Sequence, residues 1–288
     1  MQKMQYEIVK NNSFNLKHIF ECGQCFRWNK EIDGSYTGVI GSNVLSVKEE
    51  NRRIIFNGMC EDNIEELVTR YFNLNTDYEN IKKELSKVDE YLKTSIEFGN
   101  GIRILKQDLW ETLISFIISA NNNIPRIKGI IEKLSKQYGN EIEYNGKKYY
   151  TFPTIEQLSR ASVEDLRKLG LGFRDKRIYE TTKLFLDGKY SLKEIENFDD
   201  TKKVRDLLLE LPGVGPKVAD CVLLFGLNRF DVFPIDVWVR RVMNDLYIKN
   251  EDETKVKKEE IENLAKTKYA GLAGIAQQYL FYWKRETA

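Results

Sequence analysis

The ten residues Leu211-Pro212-Gly213-Val214-Gly215-Pro216-Lys217-Val218-Ala219-Asp220 constrain this chain more than any other stretch. They follow one helical segment and open another. Gly213 and Gly215 allow a tight turn whose backbone N–H groups point outward, and Pro216 suits the first helical position, where no N–H is needed. Alone, the Gly-Val-Gly run reads equally well as an ordinary turn between helices. As a helix–hairpin–helix, the same turn at a helix N-terminus holds a phosphate without a positively charged surface. That property matters here. Lys plus Arg number 45 against 44 Asp plus Glu, a net charge of +1, so any polyanion site must be local.

Lys217 falls in the first turn of the second helix. The helix dipole disfavours an ammonium there and favours the neutral amine, which is the nucleophilic form. The plain alternative is a solvated surface lysine. Nineteen residues on, Asp236 opens Asp236-Val237-Trp238-Val239-Arg240-Arg241, an apolar-periodic helix start. Asp is a good N-cap. Capping and catalysis are compatible roles for one carboxylate.

The chain on either side of this motif changes period. The runs Cys25–Trp28, Tyr36–Ile40, Val44–Val47 and Arg53–Phe56 are rich in aromatic and β-branched residues and are parted by Asp33-Gly34 and Gly41-Ser42-Asn43. They predict an antiparallel sheet with hairpins. From about Asp62 the period becomes helical. Leu109–Ala120 is apolar enough to be buried, and Ile127, Ile130, Ile131, Leu134 and Tyr138 mark one face of the next helix. Asn145-Gly146 suggests a small hairpin within 142–151. Helices are expected near Thr154–Arg160, Val163–Leu169, Asp175–Asp187, Thr201–Leu211, Lys217–Leu227, Asp236–Leu246, Val256–Lys268 and Leu272–Arg285. The expected fold class is α+β, an N-terminal antiparallel sheet domain over residues 1–100 packed on a helical body over 101–288, with the hairpin at 205–225.

Composition narrows the chemistry. No apolar run approaches the roughly 20 residues of a membrane span, and residues 1–10 lack a signal-peptide core, so a cytoplasmic, monomeric protein is expected. His18 is the single histidine, which argues against histidine-based catalysis and His-rich metal sites. Cys22 and Cys25 form a CxxC with no second pair to complete a four-sulfur site. Neither a metal nor a cofactor is expected.

At this point a family resemblance is plain. The chain is similar to the helix–hairpin–helix/Gly-Pro-Asp superfamily of DNA glycosylases, and within it to the 8-oxoguanine DNA glycosylases. Gly23-Gln24-Cys25-Phe26-Arg27-Trp28 resembles the family's Gly-Gln-Ser-Phe-Arg-Trp segment. Ser119-Ala120-Asn121-Asn122-Asn123-Ile124-Pro125-Arg126 resembles its Asn-Asn-Asn-Ile segment, Leu169-Gly170-Leu171-Gly172-Phe173-Arg174 its Leu-Gly-Leu-Gly-Tyr-Arg segment, and Ala273-Gly274-Ile275-Ala276-Gln277 its Gly-Trp-Ala-Gln helix. The matches span nearly the whole chain in the family's order.

The resemblance implies a TATA-binding-protein-like N-terminal domain and a bifunctional glycosylase/lyase acting on duplex DNA that contains 8-oxoguanine. It makes Lys217 the nucleophile and Asp236 its carboxylate partner. It places Gly23, Gln277, Phe281, Cys221 and Phe116 around the extruded base, with the Gly23 carbonyl accepting from N7–H of the lesion. It places Asn121 in the hole left by the base, Phe173 as a wedge, and Arg126 and Arg174 against the orphaned cytosine. Gly213, Gly215 and Val218 would meet the DNA backbone. Plain core packing is the alternative for Phe281 and Cys221, and a capping loop for the asparagine run. Phe173 replaces the usual tyrosine, Cys25 a common serine, and Trp238 a phosphate-contacting histidine of the eukaryotic members, which suggests a bacterial-type branch. The alternatives are a related glycosylase for another damaged base, and a non-catalytic DNA-binding protein that uses the hairpin alone.

Overall fold

The computed structural model describes residues 1–61 and 63–288. Asp62, where the change of period was expected, lies outside them. Five strands form one antiparallel sheet: β1 (Gln2–Val9), β2 (Trp28–Lys30), β3 (Tyr36–Ile40), β4 (Asn43–Glu50) and β5 (Arg53–Cys60), in the order β1-β5-β4-β3-β2. Asn51 and Arg52, both at positive φ (49° and 63°), make the two-residue turn between β4 and β5. That pair of angles matches the right-handed twist of the strands. Tyr6, Phe56 and Val47 sit in register across three strands. Phe56 joins Phe14, Phe20 and Phe72 in an aromatic core, where Phe20 stacks on Trp28 at 4.2 Å.

Two strand expectations need correction. β1 was not foreseen, although Met4, Tyr6 and Ile8 alternate along it and pack against the sheet core. Cys25–Trp28 is not a strand; only Trp28 enters β2. The segment is instead a seam. Gln24 donates through Nε2 to the carbonyls of Ile19 (2.9 Å) and Arg103 (2.8 Å) and accepts from Leu105 N–H (2.8 Å). Buried Arg27 donates to Ser135 Oγ and the Tyr150 carbonyl. The seam fixes Gly23 against the helical body.

In that body, Leu109–Ser119 is buried on almost every residue, and each of Leu113, Ile114, Ile117 and Ile118 contributes about 1.5–3 kcal/mol by burial. It packs against Pro216–Leu227, with Phe116 and Phe225 stacked at 5.4 Å. Ile124–Tyr138 follows, and then the expected hairpin, β6 (Glu141–Tyr144) and β7 (Lys147–Tyr150), whose Ile142 and Tyr144 pack on Val39 and Val44 of the large sheet. The helix expected over 236–246 is α-helical only over Val237–Met243 and widens to a π turn over Asn244–Ile248. The last helix, Ala273–Thr287, lies against Glu90–Phe98 and brings its buried face back to the centre.

Candidate active site

Gly213 lies at φ +86°, where an L side chain is strained, and a Cβ there would come within 3.0 Å of Arg177 Cβ and 3.2 Å of Ile117 Cγ2. Gly215 adopts an extended φ of −97° with open space around its Cα. The two glycines that sequence treats alike therefore differ: the constrained one is Gly213. Gly215 caps Pro216–Leu227 without a side chain, so the first amides of that helix have no intramolecular capping partner. Val218 is 4% exposed, and its side chain belongs to the core. Its main chain is what it offers to a ligand.

These residues line one side of an open groove of about 680 Å³, whose cations are Arg177, Lys217, Arg240, Arg241 and Lys258. Asn121 and Trp238 line it as well, and the Trp238 indole N–H has no partner among the described residues. A positive groove on a chain of net charge +1 answers the question raised by composition.

Beneath the groove is a cavity of about 160 Å³. Gly23, Phe116 and Cys221 meet Gln277 and Phe281 around it. The Phe281 ring lies 3.6 Å from where a Gly23 Cβ would stand, so the base of the cavity is closed by the first and last parts of the chain. Lys217, Asp236, Ser119 and Asn122 line both the cavity and the groove. Lys217 Nζ sits 4.9 Å from the Phe116 ring centre and beside Cys221. Burial pushes the Cys221 thiol up to about 11, so the sulfur there is an uncharged SH. Asp236 accepts from Val239 N–H through Oδ1 at 2.8 Å, the N-cap expected of it. Its other carboxylate oxygen has no partner among the described residues.

The asparagine run divides its work. Asn121 takes a left-handed turn (φ +51°), Asn122 Nδ2 donates to the Ile118 carbonyl at 3.1 Å, and Asn123 caps the next helix through Arg126 N–H at 3.0 Å. Asn121 and Arg126 are exposed, and Arg126 donates to the Gly170 carbonyl at 3.3 Å.

Arg174 departs from expectation. It is 2% exposed, and its guanidinium donates to the carbonyls of Ala120, Asn121 (2.8 Å) and Leu171 (3.2 Å). A group so engaged is no free reader of a base; it staples the 119–123 loop to the 170–174 loop. Phe173 is 54% exposed and lies under the guanidinium carbons of Arg174 (4.3 Å) and Arg177 (5.2 Å). Arg177 escaped the sequence reading. Its stem packs on Gly213 while its head covers Phe173, which ties Phe173 to the hairpin. Sequence gave no signal for it beyond one arginine on an exposed helix face.

Comparison with known proteins shows the family. Residues 7–113 match the 8-oxoguanine DNA glycosylase N-terminal domain, and residues 114–268 match the HhH-GPD superfamily of base excision DNA repair proteins. The chain is 36% identical to an N-glycosylase/DNA lyase of Saccharomyces cerevisiae over 81% of its own length and 68% of that protein's. Its fold is similar to that of the Clostridium acetobutylicum 8-oxoguanine glycosylase/lyase in complex with double-stranded DNA containing cytosine opposite 8-oxoG, with a TM-score of 0.91, 39% identity and coverage of 99% and 98%. A structure of MBOgg1 in complex with a low affinity DNA ligand gives a TM-score of 0.93 at 45% identity, covering 100% of this chain and 99% of that one. The chain belongs to the HhH-GPD superfamily of base excision DNA repair proteins, in its 8-oxoguanine glycosylase branch.

The hairpin yields a first prediction. Gly213→Ala is expected to weaken binding to damaged and undamaged duplexes by similar factors, because about 1–2 kcal/mol of left-handed strain and the contact with Arg177 deform the turn and not the cavity. Gly215→Ala is expected to leave the turn intact. Titration of both duplexes and a melting curve for each variant check this; a loss confined to lesion DNA contradicts it.

Proposed function

We propose that the chain excises 8-oxoguanine from duplex DNA and then cleaves the abasic strand, with Lys217 as nucleophile and Asp236 as electrostatic partner. The observation that carries this reading is the shared wall: one lysine and one carboxylate line both a basic groove and a smaller aromatic-lined cavity behind it. A base must leave the stack to reach such a cavity. Cleavage of its glycosidic bond leaves positive charge on the sugar, which the Asp236 carboxylate stabilises. Lys217 attacks C1′, and the ring-opened Schiff base acidifies the C2′ proton, so the strand breaks by β-elimination. The Gly23 carbonyl accepts from N7–H, where guanine has only a lone pair, and Gln277 takes the Watson–Crick edge. A sheet domain and a helical body that meet near residue 100, and a cytoplasmic setting, belong to the same proposal.

The test is excision and nicking of duplexes carrying 8-oxoguanine opposite each of the four bases. Exposed Arg126 makes cytosine the favoured partner, because the edge of an orphaned cytosine offers two adjacent acceptors, O2 and N3, where that of adenine offers N1 alone. Arg126→Met is expected to lower the rate on the cytosine duplex by roughly five- to a hundredfold and to flatten the profile. Arg174→Met is expected instead to lower the melting temperature and the rates on all four duplexes together. An unaltered profile in Arg126→Met removes Arg126 from the reading of the opposite base.

A further inference from the structure

Arg177 is anchored at two points. Its Cβ and Cδ both lie 3.0 Å from where a Gly213 Cβ would stand, so its stem is packed into the hairpin turn. Four residues separate it from Phe173, the spacing that brings side chains together on one helical face, and its guanidinium carbon lies 5.2 Å from the Phe173 ring centre. The residue is nonetheless exposed and lines the groove.

Its charge has no answer within the protein. The carboxylates nearest in sequence are taken: Asp175 accepts from Arg167 at 2.7 Å, and Glu180 pairs with Lys176 at 3.7 Å. Burial first, and then the charges of Arg126 and Arg177, lower the Arg174 pKa. Three guanidiniums therefore gather here. Arg126 and Arg174 donate only to main-chain carbonyls, and Arg177 has neither a hydrogen bond nor an ion pair among the described residues. A guanidinium is suited to two tasks at once, since its planar face stacks on a ring while its N–H edge forks onto phosphate oxygens. The Arg177 face is on Phe173, and its edge is unclaimed. Phe173 itself exposes more than half of its surface beside a basic groove. Such a ring loses contact with water when it enters a base stack.

We propose that Arg177 couples the two events: its N–H edge takes a backbone phosphate of the duplex, and its face sets Phe173 against the base stack. The proposal rests on the reading of the groove as a DNA site. It goes beyond that reading by making one side chain join the hold on the backbone to the opening of the stack.

The test uses the full chain and a duplex with a tetrahydrofuran abasic-site analogue, which has no base to excise. A 2-aminopurine stands beside the base opposite the analogue, and its fluorescence rises when it unstacks. Affinity is measured over a salt series, and fluorescence at saturating protein. Wild type is expected to raise the fluorescence. Arg177→Met is expected to lower the slope of log affinity against log salt by about 0.9, one phosphate contact, and to lose most of the fluorescence rise. Arg177→Lys keeps the charge without the planar face; it is expected to keep the slope and still lose most of the rise. Phe173→Ala is expected to lose the rise with the slope intact. A residue that only braces the fold would lower the melting temperature in Arg177→Met and leave both readouts unmoved for the folded fraction, which overturns the proposal. An unchanged salt slope in Arg177→Met overturns the phosphate contact, and a full fluorescence rise in that variant overturns the placing of Phe173. Neither readout needs base excision, so a failure to excise 8-oxoguanine is seen separately and counts against the functional reading alone.

Discussion

Lys217→Gln is expected to abolish base excision and the borohydride-trapped adduct together, while affinity for lesion DNA stays within about threefold of wild type. The substitution keeps a polar side chain, one bond shorter, and removes the amine. What holds DNA in this reading is main chain at the hairpin and the other cations of the groove, none of which it alters. The contacts of the amine explain why no neighbour can replace it. Its surroundings are the Phe116 ring and the uncharged Cys221 thiol, and the groove's remaining cations do not line the cavity. Trapping requires a Schiff base, so a gel-shifted adduct that survives in Lys217→Gln assigns the chemistry to another amine.

Asp236→Asn is the second large effect. Asparagine keeps the shape and the N-cap to Val239 N–H, so the helix Val237–Met243 is expected to remain and the melting temperature to stay near wild type. Only the charge is lost. Excision is expected to fall by about two orders of magnitude or more, the scale of removing one preorganised electrostatic stabiliser. Cleavage of a preformed abasic site is expected to fall less, because the glycosidic bond is already broken. The measurements are single-turnover rates on 8-oxoguanine and on an abasic duplex. A rate within about threefold of wild type on the first assigns Asp236 to capping alone.

The features legible in sequence were those written locally. The hairpin needs a positive-φ glycine and a proline at the first helical position, and both stand in one decapeptide. The buried helix Leu109–Ser119 announces itself by apolar residues on every face. The features that were not legible depend on contacts between distant segments. Cys25–Trp28 has strand-like composition, yet Phe26 serves the helical core and Arg27 bonds across to Ser135 and Tyr150. Tertiary demand overrides propensity there. Arg174 was expected to read DNA because the resemblance places its segment against the duplex; only the loop facing it shows where its donors go. Arg177 gave no local signal, since its meaning comes from its contacts with Phe173 and Gly213. β1 is the exception: its alternation was present in the sequence and passed unread.

A cavity with one wall at residue 23 and the opposite wall at residues 277 and 281 has a consequence for the chain's birth on the ribosome. The nucleophile and the hairpin emerge some sixty residues before the helix that closes the cavity. Until that helix arrives, the body lacks Ile275, Ala276, Tyr279 and Leu280 at its centre, and the cavity lacks its far wall. Base selection and a finished core therefore arrive together, on one helix.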